Sequence, residues 1–430
     1  MGGMTGPFSL FDALDTRSHP QRMMLTAEMH LRKPLRLEAP CQMIQFVMLA
    51  DDHEVDAAEC FLRQHISATA RPRRFWTGEV DGFAFAFERH SEFITYSFIA
   101  PGRRSMLFDV AQFAPIKSHV DAIPGKLIRA NHVQLLDTGS GLPAAEQLAR
   151  HFSRDDLISS TASDGKALIW TDFRIHEDGF GRLLIADRGL AGSDASLLTQ
   201  RLQELGNYRK MALLGLPIAQ DIMPRIDLLE QQLADVAQRI ADERSDDEAM
   251  MADISRLTAE VARIGAQTRY RMSATQAYAE ICLDRLDSLD VRPVAGFPSL
   301  GDFTERRLLP AMRTCAAFTR RLDDLAERAA WTDALLRTRI DTQLARQNRN
   351  LLASMNRRTK MQLRLQQTVE GLSAVAISYY AIGLLGYLVK GTHLLHPALS
   401  VEVLLALLVP VVLIAVMLGL RRLRHAGDVD

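Results

Sequence analysis

Cysteine is scarce in this 430-residue chain. Cys41, Cys60, Cys282 and Cys315 stand 19, 222 and 33 positions apart, so no pair has the close spacing that a zinc ribbon or a redox dithiol needs, and the four read as buried or free thiols of a reducing compartment. Excess charge is also missing, with 51 Lys and Arg against 52 Asp and Glu. There is no low-complexity tract, and the 47% apolar content excludes a disordered or collagen-like chain. The opening MGGMTGPFSLFDALDTRSHP lacks the basic start and apolar run of a secretory signal, so the N-terminus is expected in the cytoplasm. No catalytic motif is found either. The sequence contains no Gly-rich phosphate loop followed by Lys and Ser or Thr, no G-x-S-x-G and no H-E-x-x-H. On this reading the protein is not an enzyme and carries no cofactor.

What the sequence does have is concentrated at its end. Residues 371–389, GLSAVAISYYAIGLLGYLV, carry no charge, and at 1.5 Å per residue they nearly span a hydrocarbon core of about 30 Å. Residues 403–420, VLLALLVPVVLIAVMLGL, are equally uncharged. Two such segments joined by a short loop predict a transmembrane hairpin at about 371–389 and 399–420, with Pro410 tolerated inside the second. Residues 337–430 hold twelve basic and five acidic side chains, a net +7, which leaves −8 for residues 1–336. The cations flank the hairpin, with Arg337, Arg339, Arg346, Arg349, Arg357, Arg358, Lys360 and Arg364 before it and Arg421, Arg422 and Arg424 after it. Because Lys and Arg near a span are retained on the cytoplasmic side, both termini are placed in the cytoplasm of a bacterial inner membrane, with a multi-pass topology. Anionic headgroups account for these cations, so nucleic acid is not an expected partner.

The rest of the chain divides in two. Residues 1–190 hold short segments rich in β-branched and aromatic residues, CQMIQFVMLA, EVDGFAFAFERH, EFITYSFIA, LIRANHVQLL, KALIWTDFRIH and GRLLIAD, with helices at EVDAAECFLRQHI and PAAEQLARHF. Strands and helices mixed in this order predict a cytoplasmic α/β or α+β sheet domain, taken as α+β. Residues 191–368 predict long antiparallel helices, the first ending at Pro217, with a solvated face or a break at Asp242, Glu243, Asp246, Asp247 and Glu248. A helix from about Leu322 into the first apolar segment carries one stripe: Leu322, Leu325, Ala329, Leu336, Ile340, Leu344, Leu351 and Met355. That stripe suits either packing on the protein's own body or self-association through helix pairing. Residues 369–430 form the hairpin and its basic tail.

Two sets of residues could carry chemistry. Glu88, His90 and Glu92 would share one face of a strand and could bind a ligand or metal of unknown identity, or could simply be a salt-bridged edge. Asp51, Asp52, His53 and Glu54 read as the capped start of a helix, and Asp187, Arg188 and Gly189 as a strand-ending turn. In the first apolar segment Ser373, Tyr380 and Tyr387 fall on one helical stripe, with Glu370 at its cytoplasmic mouth. Copies assembled around that stripe would line a conduit with hydroxyls and a ring of carboxylates, which attracts cations, a divalent cation among them. The tyrosines also suit the membrane interface.

HPQRMMLTAEMHLRKP, ERHSEFITYSF, QRLQELGNYRKMALLGLP, RYRMSATQAY, RRLLPAMRTC and QNRNLLASMNRRTKMQLRLQQTVEGLSAVAISYYAIGLLGYL resemble the bacterial membrane-anchored proteins grouped as domain of unknown function 3422. The likeness covers nearly the whole chain. Where that family has a Lys-Trp pair before the Glu-Arg-His motif, Ala86 and Phe87 stand here. The resemblance implies a membrane anchor with a cytoplasmic body and no assigned reaction. A looser resemblance, of layout alone, is to CorA-type magnesium channels. Their Gly-Met-Asn tripeptide is absent, and Gly386, Tyr387 and Leu388 lie near the corresponding place. Two functions follow as expectations: a homo-oligomeric, CorA-like cation channel or transporter, and a hairpin that tethers a cytoplasmic binding or scaffold domain to the bilayer.

Overall fold

Between Val80 and Phe83 the chain reverses on Asp81 and Gly82, both with left-handed backbone (φ 49° and 81°), the pair that a two-residue hairpin turn favours. The run from Glu79 to His90, expected as one strand, is therefore the middle of a hairpin. The computed structural model describes residues 18–30, 36–66, 74–101, 106–242, 244–393 and 401–427. The opening residues 1–17 and most of the loop expected between the apolar segments, 394–400, lie outside the described residues. In chain order the elements are α1 (Arg22–His30), β1 (Cys41–Leu49), α2 (Asp52–His65), β2 (Phe75–Val80), β3 (Phe83–Arg89), β4 (Phe93–Pro101), α3 (Lys117–Asp121), β5 (Lys126–Asp137), α4 (Ala145–His151), β6 (Ile158–Ala162), β7 (Ala167–Thr171) and β8 (Gly181–Asp187). The helices α5 (Asp194–Leu213), α6 (Gly215–Ile240) and α7 (Asp247–Ser288) follow, then β9 (Arg292–Pro293), α8 (Leu300–His393) and α9 (Val401–Gly427).

The strands form one nine-stranded sheet in the order β2-β3-β4-β1-β5-β8-β7-β6-β9. Every pairing is antiparallel except β5 with β8, whose connection runs through α4 and the β6–β7 hairpin. The sheet is mixed, and the domain is α+β as expected. Alternation assigns its faces. From β1 and β4, Met43, Val47, Phe93 and Ile99 point to one side, where Leu198, Leu202, Leu205 and Met211 of α5 and Cys282 and Leu286 of α7 close a core. Ile44, Phe46, Ile94, Tyr96 and Phe98 point to the other, against Phe61 and Leu62 of α2. Each such side chain contributes about 1.5–3 kcal/mol on leaving water. Asp51 caps α2 as expected, in a capping box with Glu54, and Asp187 closes the turn after β8 by accepting from the Gly189 and Leu190 N–H groups.

The first long helix stops at Leu213 rather than at Pro217, which sits in the first turn of α6, where its missing N–H costs no helical bond. The ion pairs fix the helices as antiparallel. Arg285 of α7 pairs with Glu204 of α5 while Arg201 reaches Ser288, and Arg225 and Arg239 of α6 pair with Glu260 and Asp253 of α7. The chain breaks between α6 and α7 at the acidic cluster. Among the cysteines, Cys41, Cys282 and Cys315 are buried and free, whereas Cys60 is exposed.

By its contacts the chain forms two units, one of Met1–Arg244 with Ala252–Thr332 and one of Ser245–Met251 with Asp333–Asp430. Helix α8 begins at Leu300, twenty-two residues before the expected start, and its apolar stripe changes character along its length. Leu322, Leu325 and Ala329 are buried within the first unit. In the second unit Leu336 is buried, and Arg339 bonds the Ser245 carbonyl and Asp247. Leu344, Leu351 and Met355 are exposed.

Candidate functional site

Strand β3 ends at Arg89, so Glu88, His90 and Glu92 do not share a strand face. Glu88 is the last inward position of the strand, and His90 to Glu92 form the turn into β4. The structure brings two of the three together. His90 Nε2 lies 3.6 Å from Glu88 Oε2, both largely buried, and the imidazole stacks on Phe93 at 4.1 Å. Glu92 instead pairs with Arg271 of α7. Among the described residues no three His, Cys, Asp or Glu side chains gather as a metal would require.

Glu88 and His90 line one end of a cavity of about 70 Å³ between the sheet and α5. Its far wall is polar. Glu204 accepts from Gln200 Nε2 (2.9 Å) and Arg285 Nε (2.6 Å), and the Thr199 hydroxyl is sealed from solvent with no hydrogen-bond partner. Behind that wall runs a network absent from the sequence expectations. Arg129 of β5 donates through Nη1 to Gln203 Oε1 (2.6 Å), Asn207 Oδ1 (2.7 Å) and Gln45 Oε1 (3.3 Å). With the Asn131 amide oriented to satisfy its neighbours, its oxygen accepts from Arg129 Nη2 (3.1 Å) and its nitrogen donates to the Gly181 carbonyl (3.1 Å). Four neutral amides thus hold one guanidinium. Burial, then the charge of Arg209, pushes Arg129 below the usual guanidinium range.

Two signals in the sequence pointed to this network. Arg129 is a lone cation inside LIRANHVQLL, and Gln203 and Asn207 stand four apart on α5, on the face that carries Leu202 and Leu205. Gly206 completes it, since a β-carbon there would lie 2.7 Å from Arg129 Nη2 and 2.8 Å from Cζ.

The apolar segments belong to the second unit. An 18-residue window of α8 within Leu300–Leu388 is long and apolar enough to cross a membrane, and only 11% of it is buried. A shorter apolar stretch, Ala406–Gly419, lies in α9. Of the candidate pore residues, Ser373 is exposed, Tyr380 and Tyr387 are 71% and 78% exposed, and Glu370 accepts from Gln366 Nε2 (3.1 Å). The buried side of this segment is a different stripe, Ala374, Ser378 and Gly386. Gly371 and Gly383 have no neighbour within 4 Å of a β-carbon built on them.

A family model described as "Protein of unknown function (DUF3422)" matches residues 17–426. No curated protein and no solved structure matches the chain.

Proposed function

The chain belongs to the DUF3422 family, and from that premise we propose that it is a membrane-tethered binding protein. Its α+β domain and long helices stand in the cytoplasm, and the end of α8 with α9 forms a hairpin through the bacterial inner membrane. One observation carries this reading: the apolar end of α8 is bare. Leu372, Val375, Tyr379, Leu384 and Leu388 are all exposed, as are Leu407, Val411 and Ile414 of α9. A helix of a soluble core would bury such a run, and an apolar surface of this extent exposed to water promotes association. Lipid satisfies it. The cations before residue 371 and after residue 420 hold both termini inside. Binding is the reading for the body because its polar cavities lie between the sheet and α5.

Membranes washed with alkaline carbonate should retain the full-length chain, and a cysteine-reactive, membrane-impermeant reagent applied outside should label a cysteine introduced at residue 396 but none in the sheet domain. Release into the wash, or labelling of the sheet domain from outside, overturns the tether.

A second reading is favoured by the exposure of Ser373, Tyr380 and Tyr387, which leaves that side of the helix open to other copies. In a homo-oligomer they would line a cation conduit with Glu370 at its mouth, the layout that CorA-type channels share. Purified protein in liposomes should then multimerise and pass Mg²⁺, with flux falling at least several-fold in Glu370→Gln. Monomers without flux leave the tether alone.

A further inference from the structure

On the other side of Gln203 and Asn207 from the Glu88 cavity lies a second one, of about 160 Å³, enclosed by β5, β8, α5 and the segment after β7. Five cations line it, Arg129, Arg174, Arg182, Arg209 and Lys210, and no acidic side chain does. Two are spoken for. Arg174 pairs with Asp156 (2.5 Å) and Arg182 with Asp178 (2.8 Å). Among the described residues no carboxylate lies within salt-bridge reach of Arg129 or Arg209. Arg129 has only amides, and Nη1 of Arg209 is shut off from solvent with no hydrogen-bond partner. A largely buried guanidinium without a counter-charge is costly, and a pair of them costs more, since each charge disfavours the other. Burial lowers the Arg209 pKa from its ordinary value, and burial with the charges of Arg209 and Arg129 lowers that of Lys210.

The surroundings hold Arg209 in place rather than neutralise it. Its Cζ lies 3.8 Å from the ring centre of Phe173, Phe173 stacks on Phe303 at 4.5 Å, and Arg307 covers the far side of Phe303 at 3.8 Å. Phe173 itself has φ +54°, a left-handed backbone that a bulky side chain rarely adopts and that costs of order 1–3 kcal/mol. Gly206 gives up helix propensity so that Arg129 can pass. Strain, a helix glycine and an unsatisfied donor thus converge on one cavity where, among the described residues, no carboxylate pairs with Arg129 or Arg209.

We propose that this cavity binds a phosphoryl dianion, carried by inorganic phosphate or a small phosphate ester, with the guanidinium groups of Arg129 and Arg209 as its donors and the Lys210 ammonium at its mouth. The Arg129 donors not taken by the amides, the Arg209 guanidinium and a point charge match a doubly charged tetrahedral group, and a single carboxylate would leave the site positive. The inference goes beyond the membrane reading, and its test in detergent stands whether or not the hairpin crosses a bilayer.

Inorganic phosphate added to the purified full chain should bind saturably in calorimetry and raise the thermal midpoint beyond chloride at matched ionic strength, with acetate at least tenfold weaker. Arg209→Gln should lose at least tenfold in phosphate affinity, while its midpoint without phosphate should equal or exceed the parent's, which a purely structural arginine would not allow. Lys210→Met, at an exposed position, should lose a smaller factor and gives the readout if Arg209→Gln fails to fold. Phosphate no more effective than chloride, acetate as tight as phosphate, or parental affinity in either variant overturns the proposal. A phosphate ester binding more tightly than inorganic phosphate would identify the ester as the source.

Discussion

Each face of the sheet buries a polar island in its middle, and the two are built on opposite principles. Beside Phe108, the Val110–Ile116 turn and Phe180, Gln42, His132 and Gln134 are almost wholly buried. His132 Nε2 meets Gln42 Oε1 at 2.7 Å, Gln134 accepts from the Phe108 N–H, and the edges of Phe108, Phe113 and Phe180 wall the imidazole. Under α5, Gln45, Asn131, Gln203 and Asn207 surround Arg129. The first island avoids the expense of a buried charge by staying neutral. The second keeps its charge and leaves a cavity beside it. Neutral amides and aromatic walls are what a structural network needs, whereas an uncompensated guanidinium beside open space is what a ligand site needs.

The neutral island can be broken with acid. Burial holds the His132 pKa at about 4, with Asp178 raising it and Arg182 lowering it by lesser amounts. The unfolded chain takes up its proton near the ordinary imidazole value of about 6.5. Between those values the unfolded state binds a proton that the folded state refuses, so the stability from this group is complete above about pH 6.5 and falls as the pH drops toward 4. The full loss is about 3 kcal/mol, roughly 2 of it by pH 5. His132→Gln keeps a donor toward Gln42 and removes the titration, so the parent's denaturation midpoint should fall more steeply between pH 7 and pH 5 than the variant's. Equal slopes would mean that burial does not hold the His132 pKa below its unfolded value, and a parent that gains on the variant as the pH falls would mean that the imidazole is protonated in the fold.

The contrast between the islands also explains how much the sequence could tell. Strands β1, β4, β5, β7 and β8 were legible because alternating β-branched and aromatic residues survive as a local pattern, and the Asp51 to Glu54 box marked the start of α2. β6, with the sequence ISSTA, was not, because Ser159 and Ser160 are polar residues buried by pairing and by bonds to the Pro298 carbonyl and the Leu300 N–H, both more than a hundred positions away. The α8 stripe read as one feature from Leu322 to Met355, yet burial stops after Leu336, since periodicity reports a face and not what covers it. At the site, Glu88 and His90 were found as a local cluster. Arg129 and Arg209 lie eighty positions apart and meet only because β5 runs beneath α5, a coincidence of topology that no local spacing encodes.

A smaller effect would sharpen the charged side of the comparison. Alanine is ordinarily the better helix residue by about 1 kcal/mol, so a glycine inside α5 should improve on replacement. At Gly206 the added carbon would press on the Arg129 guanidinium, which cannot swing away because Gln45, Asn131, Gln203 and Asn207 hold it. Overpacking of this kind costs about 1–3 kcal/mol, so Gly206→Ala should destabilise by about 1–2 kcal/mol net and weaken phosphate binding with it. Gly265 of α7 is the control. Nothing lies within 4 Å of a β-carbon built there, and Gly265→Ala should stabilise by about 0.5–1 kcal/mol. Thermal midpoints of the two variants should therefore move in opposite directions from the parent. If both rise, the guanidinium is free to move, and the amides around it do not hold the charge in place.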